Sequence, residues 1–145
     1  DLDERIRSAA SSMLSEQQSP PSFTELEVSD VSMRGVALWQ LRALAQEVHA
    51  EVGQHEFYET DAASLHHGER IEWDWMTFNH VVKHVLKPKT QARRCSYAEF
   101  LDAGPQPPDF SVCCWWGCAI REFFEAIEWH AEARNLPDST VYWLG

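Results

Sequence analysis

His80 and His84 stand four residues apart, the separation that sets two imidazoles on one helical face where they could share a metal ion. The zinc-protease arrangement also needs a glutamate directly after the first histidine. Val81 holds that place, so metal-assisted hydrolysis is not expected. On a helical wheel both histidines fall opposite the apolar stripe and beside Lys83 and Lys87, whose charge works against a cation, so both are expected to be exposed. Cys113, Cys114 and Cys118 form the densest thiol group. Their C-C-x3-C spacing lacks the C-x2-C pair of a structural zinc site and brings no clear fourth ligand. Cys118 precedes a helical segment, where the helix dipole favours a thiolate, and is the candidate reactive thiol. The ordinary expectation for all three is to fill a strand and a turn. His66 and His67 sit in a polar stretch and are expected in solvent, and His130 lies one step from an apolar stripe, half-buried. Glu122, Glu125, Glu128 and Glu132 beside Arg121 read as a solvated helix face rather than a carboxylate pair. Gly117, in W-W-G-C-A, builds no phosphate loop, and no G-x-S-x-G elbow occurs. No catalytic residue, cofactor or metal is therefore assigned.

These side chains belong to a chain of 145 residues that is 44% apolar, enough for one domain with its own core. Its net charge of −11 repels phosphate backbones and anionic lipid, which sets nucleic acid and electrostatic membrane binding aside. No apolar run is long enough to span a bilayer. The four cysteines do not form a secreted disulfide framework, so reduced thiols in the cytoplasm or an organellar stroma are expected. The first residue is Asp1, which suggests a removed leader or a piece of a longer chain. All seven tryptophans except Trp39 fall from residue 73 onward.

The elements that would position them read as follows. Residues 2–17 carry one apolar helical stripe, and residues 17–22 are a Pro-rich connector. Residues 23–28 alternate as a strand would. A long helix is expected from Val31 to Val52, with Gly35 weakening its first turn and Gly53 at its end. Residues 53–71 read as a loop. Glu72 to Lys87 is the clearest helix, with Trp75, Phe78, Val82, Val85 and Leu86 within roughly 60° of one line, and Lys87-Pro88 ends it. Ser96 and Glu99 form a capping box that opens a short helix stopping near Gly104. From Phe110 to Trp116 the chain reads as a strand, then as a helix from Cys118 to Arg134, then as a strand from Thr140 to Leu144. That is a βαβ unit. The expected architecture is α-rich α/β: residues 1–22, a mainly helical region over 23–104, and the βαβ unit over 105–145. Two parallel strands do not make a stable sheet alone, so something must complete it.

Several motifs resemble those of a poorly characterised family found in dinoflagellates and other protists. They are Arg94-Cys95-Ser96-Tyr97-Ala98-Glu99-Phe100, Gly104-Pro105-Gln106-Pro107-Pro108, Val112-Cys113-Cys114-Trp115-Trp116-Gly117, Glu122-Phe123 and Tyr142-Trp143. Together they cover roughly residues 80–145. The family's F-[VI]-S-H-[AW]-W-G segment is similar to the start of a Toll/interleukin-1 receptor (TIR) domain, which implies an incomplete flavodoxin-like fold. Cys113-Cys114 replaces the family's Ser-His pair, and the later helix that carries a glutamate in NAD-cleaving TIR domains has no counterpart here. The expected function is a non-catalytic accessory subunit that docks into a larger protein assembly, an organellar and even plastid complex being a natural setting. Trp115, Trp116, Tyr142 and Trp143 are its expected packing or docking anchors. The alternatives are a TIR-like enzyme that binds or hydrolyses NAD in a cleft near Gly117, and a metal or redox module built on Cys113, Cys114, Cys118 and a histidine.

Overall fold

The computed structural model describes residue 28, residues 30–101 and residues 104–145. The helix expected over 2–17, the connector after it, and all but the last residue of the strand expected over 23–28 lie outside the described residues. The elements are β1 (Val36–Ala37), α1 (Leu38–Gln54), α2 (Phe78–Val81), a π-turn (Val82–Leu86), α3 (Lys87–Arg93), α4 (Tyr97–Phe100), β2 (Phe110–Val112), α5 (Ile120–Ala133) and β3 (Val141–Leu144).

The βαβ unit is present as β2–α5–β3, with β2 and β3 parallel and Phe110 facing Tyr142. The long helix expected from Val31 does not start there. Val31–Met33 is one 3-10 turn, Val36–Ala37 is a strand, and the helix opens at Leu38. Gly35 and β-branched Val36 favour extended chain over a first helical turn. The Gln40 side chain accepts the Ala37 N–H at 2.8 Å and so caps the helix one residue on. β1 pairs antiparallel with β3, Val36 opposite Tyr142, giving a mixed sheet of order β1-β3-β2. The chain thus supplies a third strand and places β3 at the centre.

The outer edge of β1 is also closed from within. Gly35 N–H donates to the Gln106 carbonyl (3.1 Å), Gln106 N–H donates to the Met33 carbonyl (2.8 Å), and the Gln106 side-chain amide donates to the Gly35 carbonyl (3.0 Å). These contacts use up the groups that would otherwise recruit another strand. Among the described residues, no strand pairs with the outer edge of β2.

The helix expected over Glu72–Lys87 is shifted. Residues 72–76 are turns, Thr77 caps α2, and the helical path continues through Pro88 to Arg93. Proline lacks an N–H and its ring crowds the carbonyl four residues back. The π-turn just before it, where Lys87 N–H reaches the Val82 carbonyl, widens the helix and absorbs that conflict. The expected capping box forms, with Ser96 Oγ accepting the Glu99 N–H and Glu99 accepting the Ser96 N–H. The expected strand over 110–116 stops at Val112, so Cys113 and Cys114 lie in the loop beyond it and not on opposite faces of a strand.

The core lies between the sheet and the helices. Leu38, Leu41, Leu44, Val48 and Val52 from α1 meet Ile120, Phe123, Phe124, Ile127 and Ala131 from α5, with Tyr142 of β3 fully buried between them. The α5 set recurs at three- and four-residue steps, the signature of a single buried stripe. Phe123 joins Phe78 edge-to-face at 5.3 Å and carries the core to α2. Among the described residues no helix is long and apolar enough to cross a membrane.

Candidate interaction surface

The histidine pair does not present itself to solvent as expected. His80 is 8% exposed, and its Nε2 lies 2.8 Å from Glu59 Oε2. Its Nδ1 accepts the Thr77 N–H at 3.0 Å, so the ring proton sits on Nε2 and is donated to Glu59. Thr77 Oγ1 in turn accepts the His80 N–H at 3.4 Å, an N-cap with histidine in the place usually held by glutamate. Glu59 also accepts the Asp61 N–H at 2.8 Å. That bond and the His80 contact outweigh burial and pull the Glu59 carboxyl down to about 2. Acid, imidazole and hydroxyl thus stand in a line, but every group is engaged in fastening the 59–70 loop to the start of α2.

His84 is half-buried, stacks on Phe57 at 4.6 Å, and has a buried Nε2 that meets no hydrogen-bond partner among the described residues. Burial, then the charge of Lys83, lowers its pKa. The two imidazoles therefore have different surroundings and do not converge. Among the described residues no three side chains of the metal-ligating types come together to hold an ion. His66 stacks on Trp75 at 4.2 Å with its Nδ1 on Glu69, so it is not simply solvated, whereas His67 is exposed. His130 is half-buried as expected, with Nδ1 3.0 Å from the Tyr142 hydroxyl and its ring edge-on to Phe110.

The residues expected to anchor a partner divide into two pairs. Tyr142 is 0% exposed; it sits at the centre of the sheet and is a packing residue, so it cannot meet a partner. Trp143 is half-buried and donates its indole N–H to the Val31 carbonyl at 3.2 Å, which ties it to the chain's own surface. Trp115 and Trp116 are 79% and 44% exposed, side by side in the turn between β2 and α5. The turn is held by Cys118 N–H donating to the Trp115 carbonyl (2.9 Å) and by Asn79 N–H donating to the Trp116 carbonyl (3.0 Å). Trp116 rests its ring on Phe78 at 5.5 Å. Trp115 lies over Gly117, where any Cβ would meet its ring, Cε2 at 2.6 Å. Glycine at 117 is therefore explained by the tryptophan before it, not by a phosphate.

Beside this turn a groove of about 560 Å³ opens between β2 and α5. Phe110, Val112, Phe123 and Ile127 form its apolar floor, and Trp115 closes one end. Cys113 is exposed at its rim, and Cys114 and Cys118 are half-buried in its wall. Burial, with Cys118 and Cys113 adding to it, pushes the Cys114 thiol up and away from thiolate. The thiols, expected to fill a strand and a turn, all lie beyond β2, with Cys113 in solvent and Cys114 and Cys118 half-buried.

A second groove, about 670 Å³ between α1 and α5, is crossed by ion pairs. Arg42 grips Glu128 with Nε and Nη2 at 2.7 and 2.8 Å and reaches Asp138 at 2.5 Å. It is a seam between two of the chain's own helices. The β2–α5 groove has no such clasp. Residue type marks Trp115 and Trp116 as candidates, whereas nothing in its polar stretch marks Glu59. The groove floor is also hidden in the sequence, because an open apolar stripe and a covered one have the same periodicity.

No family model, curated protein or solved structure matches the chain.

Proposed function

We propose that this protein is a non-catalytic interaction subunit that docks into a larger protein assembly through the Trp115–Trp116 turn and the groove beside it. One observation carries the reading: Trp115, largely in solvent, walls an apolar groove, and Trp116 stands exposed beside it in the same turn. Tryptophan is the residue most enriched at binding hot spots, and an apolar cleft with an aromatic wall gains from being covered. Several of the groups that could do chemistry are engaged internally: His80 with Glu59 and Thr77, His130 with Tyr142, and Arg42 with Glu128. On a TIR-like reading the turn after β2 lies at the carboxyl end of a parallel strand, where open α/β sheets bind their ligands. The partner on this reading is another protein subunit, in the cytoplasm or an organellar stroma, a plastid complex included.

The test is native size. A tagged chain expressed in its own cells runs well above its own 16.7 kDa in a native separation, and the double variant Trp115→Ala, Trp116→Ala runs as the free chain. A wild-type chain that runs alone, or a double variant that keeps the larger size, overturns the proposal.

A further inference from the structure

We infer that the groove is the bed for an added β-strand: an extended, basic-flanked segment of the partner that pairs with the outer edge of β2. The inference rests on the docking reading above and specifies its chemistry. In the parallel ladder Phe110 stands opposite Tyr142 and Val112 opposite Leu144. Those two residues spend their N–H and C=O on β3, so Ser111 between them turns its N–H and C=O outward. Among the described residues nothing pairs there, while the opposite edge of the sheet is sealed by Gln106 and Gln40. Among the described residues one edge is therefore closed and the other open.

The open edge runs along the apolar groove. A strand laid beside β2 would hydrogen-bond Ser111 and drop alternate side chains onto Phe123 and Ile127 of α5, in the manner of β-augmentation. The groove runs beside α5 from Glu122 to His130, which at 1.5 Å per helical residue is roughly 12 Å. That is about four residues of extended chain.

Charge selects the occupant. Asp109 lies just before β2, and Glu122 lines the groove. Of the basic side chains, Arg134 lies over the Phe110 ring at 5.8 Å outside the groove lining, and His130 lines the groove. With a net charge of −11 on the chain, a second copy would meet repulsion, and a segment flanked by Lys or Arg would meet attraction.

The experiment uses the full chain and a labelled peptide, Lys-Lys-Val-Thr-Val-Thr-Val-Lys-Lys, followed by fluorescence anisotropy. Saturable binding below about 1 mM is expected, about tenfold weaker or worse for the same peptide with Glu in place of Lys. Ser111→Pro removes the outward N–H without touching the internal ladder, and an edge strand tolerates that change. It is expected to cost about tenfold or more in binding, and Ser111→Ala nothing. N-methylation of alternate peptide residues makes the same test from the ligand side, whatever Ser111→Pro does to the fold, and is expected to abolish binding. Absence of binding by any peptide, equal binding of the Glu-flanked peptide, or indifference to N-methylation overturns the inference. A concentration-dependent dimer of the free chain that Ser111→Pro abolishes would make a second copy the occupant and also overturn it. Binding that falls with Trp115→Ala but ignores Ser111→Pro and N-methylation leaves docking at the turn intact and removes the strand.

Discussion

Gly35→Ala separates two accounts of the same residue by the sign of its effect. In a helix from Val31 onward, Gly35 would be an interior glycine, and alanine would stabilise by about 0.5–1 kcal/mol. In the sheet it lies where β1, β3 and the 105–107 segment meet. A Cβ there would meet Val141 Cγ1 and would stand 2.7 Å from the Gln106 carbonyl oxygen. Val141 can rotate, but the Gln106 oxygen can yield only if its backbone moves. That same oxygen accepts the Gly35 N–H at 3.1 Å, and the Gln106 amide donates to the Gly35 carbonyl at 3.0 Å. Overpacking of this kind costs about 1–3 kcal/mol, and weakening one hydrogen bond adds about 1 kcal/mol. We expect a loss of about 2–4 kcal/mol. At this chain length that is a fall in Tm of roughly 6–12 °C. Urea unfolding followed by circular dichroism measures it. Gly53→Ala is the internal control, because Gly53 lies in α1 with open space around its Cα. It is expected to gain up to about 1 kcal/mol. A Gly35→Ala protein as stable as the parent, or more stable, would refute the placement of β1 in the sheet.

Stability also falls toward acid in two windows. His84 has a lowered pKa, so the unfolded chain takes up its proton first and stability declines as pH drops below about 6.5. Glu59 is held near 2, so its contribution is complete above about 4.5 and is lost as pH falls from there toward 2. Urea midpoints against pH should show both steps; His84→Phe removes the upper, and Glu59→Gln shrinks the lower, to which Glu99 and Glu128, also held below the usual carboxylate range, contribute. Thr77→Ala deletes the N-cap of α2 and is expected to cost about 1 kcal/mol in the same assay. In a native thiol titration, exposed Cys113 should react first and the half-buried Cys114, its pKa raised, much more slowly.

The βαβ unit was legible in the sequence because each signal agreed with its neighbours. Pro107-Pro108 bounded β2, α5 carried an uninterrupted stripe from Ile120 to Ala131, and Asn135-Leu136-Pro137 ended it. β1 was not legible. Two residues are too few to show alternation, and Leu38, Leu41 and Val48 cast their helical period backward over Val36 and Ala37. Pro88 misled for a different reason: it forbids a regular α-turn but not a widened one. His80 looked exposed on a helical wheel because the wheel knows only its own helix, and the 59–70 loop that covers it arrives from elsewhere. At the candidate site, residue type singled out the tryptophans, but only the fold shows that Trp115 and Trp116 stand in solvent while Tyr142 does not.

A photo-crosslinking amino acid placed in the living cell tests the docking surface at the level of single residues. A benzophenone side chain in place of Trp115 reports what lies against the groove mouth, and the same group in place of Leu65, 98% exposed on the 59–70 loop, reports chance encounters. The account predicts one discrete heavier adduct from position 115 and none from position 65. No adduct from 115, or the same set from both positions, would contradict it.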